Sequence, residues 1–218
     1  DMGGLSLTLM WLDDDLETLW FAPCDSAAYS RPALQDPPLD ASVTFNTEPE
    51  PLTVQQEGSA SSRAAAALIA DALERVRDVL NANESMLGDL DAVAGDGDHG
   101  AGMARGSTAA AQAARELVAE GAGAQTTLAG AGARWTEHSG GASGALWGAA
   151  LTAAGNSLGD DRDVDNAAAV AAVQAFVDSV ITLGKANVGD KTIVDALVPF
   201  TEAFGTAVES SGDVSQAW

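Results

Sequence analysis

The residues best equipped for chemistry in this 218-residue chain lie in one stretch, Asp91-Ala92-Val93-Ala94-Gly95-Asp96-Gly97-Asp98-His99-Gly100. It holds three carboxylates, one imidazole and three glycines, with no basic residue among them. Carboxylates crowded this closely repel one another unless a proton or a cation sits between them. Glycine lets the backbone fold tightly enough for Asp91, Asp96 and Asp98 to converge. The simplest cation for such oxygens is Mg²⁺, which often bridges protein carboxylates to phosphates. An EF-hand does not explain the stretch, because that loop needs Gly at its sixth position and Glu at its twelfth. Counting from Asp91 places Asp96 sixth and Gly102 twelfth, and counting from Asp96 places Ser107 twelfth. The competing reading is an acidic, solvated turn between helices. His99 is open to three roles: metal ligand, contact to a phosphate, or helix cap.

Two later stretches carry weaker signals. His138-Ser139-Gly140-Gly141-Ala142-Ser143-Gly144 reads as a loop leading into a helix from about residue 145. Backbone N–H groups at a helix start favour anions, and glycines allow close approach. Ser139 and Ser143 add hydroxyl donors, although a plain flexible turn has the same composition. Gly184-Lys185-Ala186-Asn187-Val188-Gly189-Asp190-Lys191-Thr192 places two of the chain's ten Lys/Arg residues within seven positions. Lysine can neutralise phosphate charge. Thr192 can equally serve only as a helix cap, in a solvated connection.

The elements that must position these residues are helical. Ile69, Leu73, Val76 and Leu80 recur on one helix face over residues 61–83, with Ser61 or Ser62 as the cap. A short segment at 84–90 leads into the acidic stretch. Further helices are expected over 101–119, from a Thr126 or Thr127 cap to 135, over 145–158, from Asp165 or Asn166 to Gly184, and over 193–209, where Pro199 is a potential kink. Val170, Val173, Val177 and Val180 supply the apolar face of the penultimate one. No parallel sheet is expected, so a P-loop or dinucleotide fold has no strand to build on.

The first 60 residues differ. Leu5-Ser6-Leu7-Thr8-Leu9 alternates at strand period, Asp13-Asp14-Asp15 reads as a turn, and residues 16–21 suit a partner strand or a short helix. Pro32, Pro37, Pro38, Pro49 and Pro51 mark a stiff, extended linker. A start at Asp1 suggests a piece of something longer.

With 46% apolar residues the chain can build a core, and a formal charge of −22 makes nucleic acid and anionic membranes poor partners. The one cysteine, Cys24, fits a cytosolic setting, and no run of 18 apolar residues suggests a transmembrane helix.

Taken together, the segments resemble the nucleotide-binding (DhaL) domain of the dihydroxyacetone kinases. The acidic stretch followed by Met103 and Gly106, then Ser139-Gly140-Gly141-Ala142-Ser143-Gly144, then Gly189-Asp190-Lys191-Thr192, occur in that family's order. Residues 2–31, with Ser6-Leu7-Thr8-Leu9 and Trp11-Leu12-Asp13, look like the end of the family's preceding ketose-binding (DhaK) domain. The resemblance implies a mostly α fold, an antiparallel eight-helix barrel holding Mg–ATP at one rim, with a short N-terminal β remnant of the preceding domain. Residues 1–31 would be the tail of that domain, 32–60 the linker and 61–218 the nucleotide domain. Family members continue past the position of Trp218 with helices that cover the adenine, so the barrel is expected to be incomplete.

By the same resemblance Asp91, Asp96 and Asp98 ligate two Mg²⁺ ions. His99 and Gly100 lie along the nucleotide, and His138, Ser139, Gly140, Gly141 and Ser143 wrap the phosphates. Gly184, Thr192 and Ile193 line the nucleotide pocket. The implied activity is ATP-dependent phosphorylation of dihydroxyacetone, in the cytoplasm. The alternatives are a related ketose such as erythrulose, or an ADP/Mg-binding module without turnover of its own. No catalytic group is expected on this chain, since a histidine of the DhaK domain holds the ketose. That domain, in the same parent chain, is the implied partner and the implied homodimer contact.

Overall fold

The computed structural model describes residues 11–26, 30–31 and 52–214. The chain divides into two units, one within Gly3–Pro51 and one over Leu52–Trp218. In the first, α1 (Asp14–Phe21) precedes β1 (Cys24–Asp25), which pairs antiparallel with β2 (Ser30–Arg31). The aspartates expected to form a turn instead start α1. Asp13 Oδ1 accepts the Leu16 N–H at 2.9 Å, and Asp14 and Asp15 sit in the first turn, where the helix dipole favours carboxylates. The strand read at Leu5-Ser6-Leu7-Thr8-Leu9 and the prolines at 32–51 lie outside the described residues.

The second unit contains α2 (Ala60–Ala82), α3 (Glu84–Asp91), α4 (His99–Ala119), α5 (Ala124–Ser139), α6 (Gly141–Leu158), α7 (Asn166–Gly184) and α8 (Val194–Ser211). Short connections fold the long helices back on one another. α4 packs on α5, α5 on α6, α6 on α7 and α7 on α8, while α2 lies on α4 and α5, and α3 on α4. The mostly helical, antiparallel arrangement expected from the resemblance is the one found.

Small residues set the spacing. α4 buries Gly102, Ala104, Gly106, Ala110, Ala111 and Ala114, which lets its neighbours approach closely. This explains a departure on α2. Its buried face is Ser62, Ala66, Ala70 and Leu73, whereas Val76, expected inside, is 39% exposed. Ala66 and Ala70 sit inside together with Leu73, and Ile69 and Leu80 pack partly buried against the same core. An aromatic ladder, Trp135–Trp147–Phe176, links α5, α6 and α7 with ring centroids 5.8 and 5.5 Å apart.

α7 is long and apolar enough by length and composition to cross a membrane, although polar residues including Gln174 and Asp178 interrupt its apolar run. It lies between α6 and α8 and buries Ala172, Val177 and Val180. These are the properties of a bundle helix.

One end of the bundle is stitched by polar contacts. Ser59, not Ser61 or Ser62, caps α2, accepting the Ser62 N–H at 3.1 Å. This frees the Ser62 hydroxyl, which accepts the Ala124 N–H at 2.8 Å and donates to Gly159 O at 3.0 Å. α5 therefore starts after Gly123, ahead of the expected threonines, and Asp160 Oδ1 accepts the Thr126 N–H at 3.2 Å. Gly58 N–H donates to Gly121 O, and Ser59 N–H to Asp160 O. Asp165 caps α7 as expected, accepting the Ala168 N–H at 2.8 Å. Ser62→Ala would leave the Ala124 N–H and the Gly159 carbonyl without their buried partner. We expect a loss of roughly 1–3 kcal/mol in unfolding free energy, measured by urea denaturation.

Candidate metal and anion site

The opposite end of the bundle carries the acidic turn. α3 ends at Asp91, and Asp98 stands at the N-terminus of α4 without capping it. The six residues between them turn tightly. Gly95 N–H donates to Asp91 O at 2.6 Å, and a methyl group added at Gly95 would stand 2.5 Å from Asp91 Oδ1. Gly97 has a φ of 81°, in the left-handed region that favours glycine. Asp91 Oδ2 accepts from Gly97 N–H at 2.9 Å and His99 N–H at 3.4 Å, which fixes that carboxylate. One oxygen each from Asp91, Asp96 and Asp98 then lies within 4.8 Å of the others. Among the described residues no cation pairs with them. An all-oxygen donor set, with two of its three members exposed, fits a small hard cation that keeps part of its water shell.

Gly100, the second residue of α4, is buried against α3. A methyl group there would fall 2.0 Å from Glu84 O. Its visible contribution is close packing of the two helices that carry the aspartates. His99, the first residue of α4, is half-buried.

The second stretch is not a loop. α5 continues through His138 to Ser139, Gly140 alone breaks the helix, and α6 begins at Gly141. Gly140 and Gly141 have φ values of 71° and 64°, so the chain reverses in two residues that only glycine takes up readily. The consequence is an exposed helix start. The N–H groups of Gly141, Ala142 and Ser143 have no helical acceptor, and Gly140 offers no side-chain cap. Methyl groups added at Gly140 or Gly141 would touch nothing within 4 Å, so the space over this joint is open. Ser139 is 5% exposed, and its Oγ lacks a hydrogen-bond partner. It is wedged between Gly102 and Gly106 of α4 and Gly144 of α6. A buried hydroxyl with an unused proton beside open helix N–H groups suits an anion. His138 is exposed, and its carbonyl accepts from Arg105 Nε at 3.3 Å.

In the third stretch Gly184 ends α7, and Lys185 and Lys191 take left-handed φ values of 51° and 59°. The Thr192 hydroxyl, one residue before the Ile193 N-cap position of α8, accepts the Val194 N–H at 3.2 Å. Ile193 is 48% exposed. Asp195, which sequence reasoning passed over, holds the connection. Its Oδ1 accepts from Gly189 N–H at 2.6 Å and its Oδ2 from Thr192 N–H at 3.0 Å. The spacing Thr192-x-x-Asp195 resembles a capping box, of which the structure forms the half in which Asp195 accepts the Thr192 N–H. The backbone bonds from Gly189 and Thr192 hold the Asp195 carboxyl below its ordinary pKa. Its stabilisation is therefore complete above the unfolded carboxylate pKa, about 3.9, and is lost as pH falls through the lowered folded value. Acid denaturation of wild type and Asp195→Asn should show a wild-type advantage at neutral pH that vanishes at the acid end.

The helix order brings these stretches to one end. The starts of α4, α6 and α8 and the ends of α5 and α7 share it, because each antiparallel neighbour reverses direction. Ser139 O lies 3.2 Å from the position of a methyl group on Gly102, and Leu146 of α6 lies 4.0 Å from one on Gly184. Val194 packs in a cluster with Ala150 and Val180.

One rim of this antiparallel helical barrel thus gathers a carboxylate cluster and an open helix start, donor sets suited to a cation and to an anion. Residues 93–218 match the model of the DAK2 domain, and the chain belongs to that family. Asp96 and Asp98 lie inside the match, and Asp91 lies just ahead of it. The chain is 49% identical over 210 residues to L-erythrulose 1-kinase of Mycolicibacterium smegmatis, covering 96% of this chain and 36% of that protein. It is 45% identical over 218 residues to L-erythrulose kinase of Pectobacterium atrosepticum, covering 100% of this chain and 36% of that protein. Among solved structures it resembles the dihydroxyacetone kinase of C. freundii in complex with AMP-PNP and Mg²⁺. The TM-score is 0.54 at 27% identity, covering 94% of this chain and 36% of that one. The DhaL-type helical fold is thereby established. The chain spans about a third of the length of the curated relatives it matches.

Proposed function

We propose that this chain supplies the Mg–ATP site of a kinase that phosphorylates a terminal hydroxyl of a short ketose, and that the ketose is erythrulose. The observation that carries the nucleotide reading is the carboxylate cluster of Asp91, Asp96 and Asp98, unneutralised and at the same end as the open start of α6. The substrate reading rests on relatives named as erythrulose kinases at 45–49% identity, against 27% for the dihydroxyacetone kinase structure. Erythrulose therefore replaces dihydroxyacetone as the first expectation.

Asp91, Asp96 and Asp98 would hold Mg²⁺, with two ions sharing them as the resemblance implies. Bound there, the metal neutralises charge on the phosphate oxygens. The chain's own groups position the polyphosphate. The Gly141, Ala142 and Ser143 N–H groups and the Ser139 hydroxyl donate to it, His138 and His99 flank it, and Lys191 adds positive charge. Gly184, Thr192 and Ile193 form the pocket wall on the α7–α8 side. Phosphoryl transfer depends mainly on such positioning and charge stabilisation. The ketose would be held by a DhaK-like domain of the same parent chain, through which two chains pair. We read residues 1–31 as its tail, 32–60 as linker and 61–218 as the nucleotide domain. A cytoplasmic location matches the use of ATP.

The test is phosphoryl transfer from Mg–ATP by the intact protein to L-erythrulose, D-erythrulose and dihydroxyacetone. We expect kcat/KM for one erythrulose enantiomer to exceed that for dihydroxyacetone by about tenfold or more. A preference for dihydroxyacetone would refute the substrate reading. Binding of Mg–ADP without turnover on any ketose would refute the kinase reading and leave a nucleotide-binding module.

A further inference from the structure

The connection between α7 and α8 contains two lysines and two aspartates, yet they do not neutralise one another. Asp190 Oδ2 accepts the Asn187 N–H at 2.7 Å, and both oxygens of Asp195 are taken by the N–H groups of Gly189 and Thr192. No ion pair involves Lys185 or Lys191 among the described residues. The two Asp195 bonds bracket Lys191, whose φ of 59° is costly for a residue with a side chain and needs outside support. That support comes from the first turn of α8, which is anchored by Val194, 1% exposed.

We propose that Asp195 is a positioning residue for the nucleotide. By gripping the backbone on both sides of Lys191, it holds the lysine ammonium available to the polyphosphate. The inference rests on the Mg–nucleotide reading of this end of the bundle. It makes a prediction opposite in sign to simple electrostatics. Removing a carboxylate near an anion site should strengthen anion binding, whereas releasing the connection should weaken it.

The experiment is titration of Mg–ADP into the intact protein by calorimetry, for wild type, Asp195→Asn, Lys191→Gln and the double variant, with thermal melts of each. We expect each single substitution to raise Kd by about tenfold, from the loss of a charge-assisted contact. The double variant should be no weaker than Lys191→Gln alone, because Asp195 acts through Lys191. Unchanged or tighter binding by Asp195→Asn would overturn the proposal. So would wild-type binding by Lys191→Gln, whatever the stability of the Asp195 variant. Additive losses in the double variant would show that Asp195 acts by another route. Failure of wild type itself to bind Mg–ADP would instead overturn the nucleotide reading beneath it.

Discussion

Asp96→Asn should weaken binding of Mg–ATP about a hundredfold while leaving the apo protein as stable as wild type or slightly more so. The two effects have one cause. Asp96 is exposed and lies within reach of Asp91 and Asp98, with no basic partner, so without a cation its charge only repels its neighbours. Asparagine removes that repulsion and keeps the shape. With a cation bound, the same charge is one of three protein contributions to the site. Losing a residue that merely orients a ligand commonly costs ten- to a hundredfold in metal affinity, so losing a ligand should reach roughly the upper figure. Calorimetry with Mg–ATP and a thermal melt in EDTA would read both effects. Near-wild-type affinity would remove Asp96 from the metal set, and a lower apo melting temperature would mean that the cluster is structural.

Gly100→Ala is expected to damage fold and site together. The added methyl group would meet the Glu84 carbonyl oxygen at 2.0 Å, and the Glu84 carbon and Gly88 nitrogen at 2.9 Å. These are backbone atoms of α3, so no side chain can rotate away, and α3 as a whole must shift from α4. Overpacking of this kind costs about 1–3 kcal/mol, or about 2–12 °C in melting temperature for a domain of this size. Because α3 ends at Asp91, the shift also carries a metal ligand away from Asp96 and Asp98. Denaturation and Mg–ATP titration should therefore both respond. Loss of stability with unchanged nucleotide affinity would show that the acidic turn holds its shape independently of α3.

The helices were legible because alanine-rich segments between glycine and aspartate breaks propagate well, and their number and order follow from those breaks. Their joints were less so. Residues 138–144 look like a loop because glycine and serine dominate them, yet Ser139 completes α5 and Gly141 starts α6. Neighbouring helices fund the ordering that local propensity alone does not supply. The face of α2 holds in part, since Leu73 is buried and Ile69 and Leu80 pack against the core, whereas Val76 is exposed. Large apolar residues mark a core when the neighbour is distant, but α4 is lined with glycine and alanine, so Ala66 and Ala70 take the inner positions.

The sequence by itself determined the acidic turn. Three aspartates and two glycines within eight residues can converge through local backbone geometry alone, and their charges demand a counter-ion in any fold that brings them together. It also carried the order of the three motifs, which is what the family resemblance used. Tertiary structure alone decided that the motifs share one end of the bundle, since this depends on the reversals between packed helices. It also decided that Ser139 is buried with an unused hydroxyl, and that the Asp195 carboxylate is committed to backbone amides and leaves Lys191 without an ion pair among the described residues. Each of these depends on contacts between residues that the order of amino acids brings near only after the helices have packed.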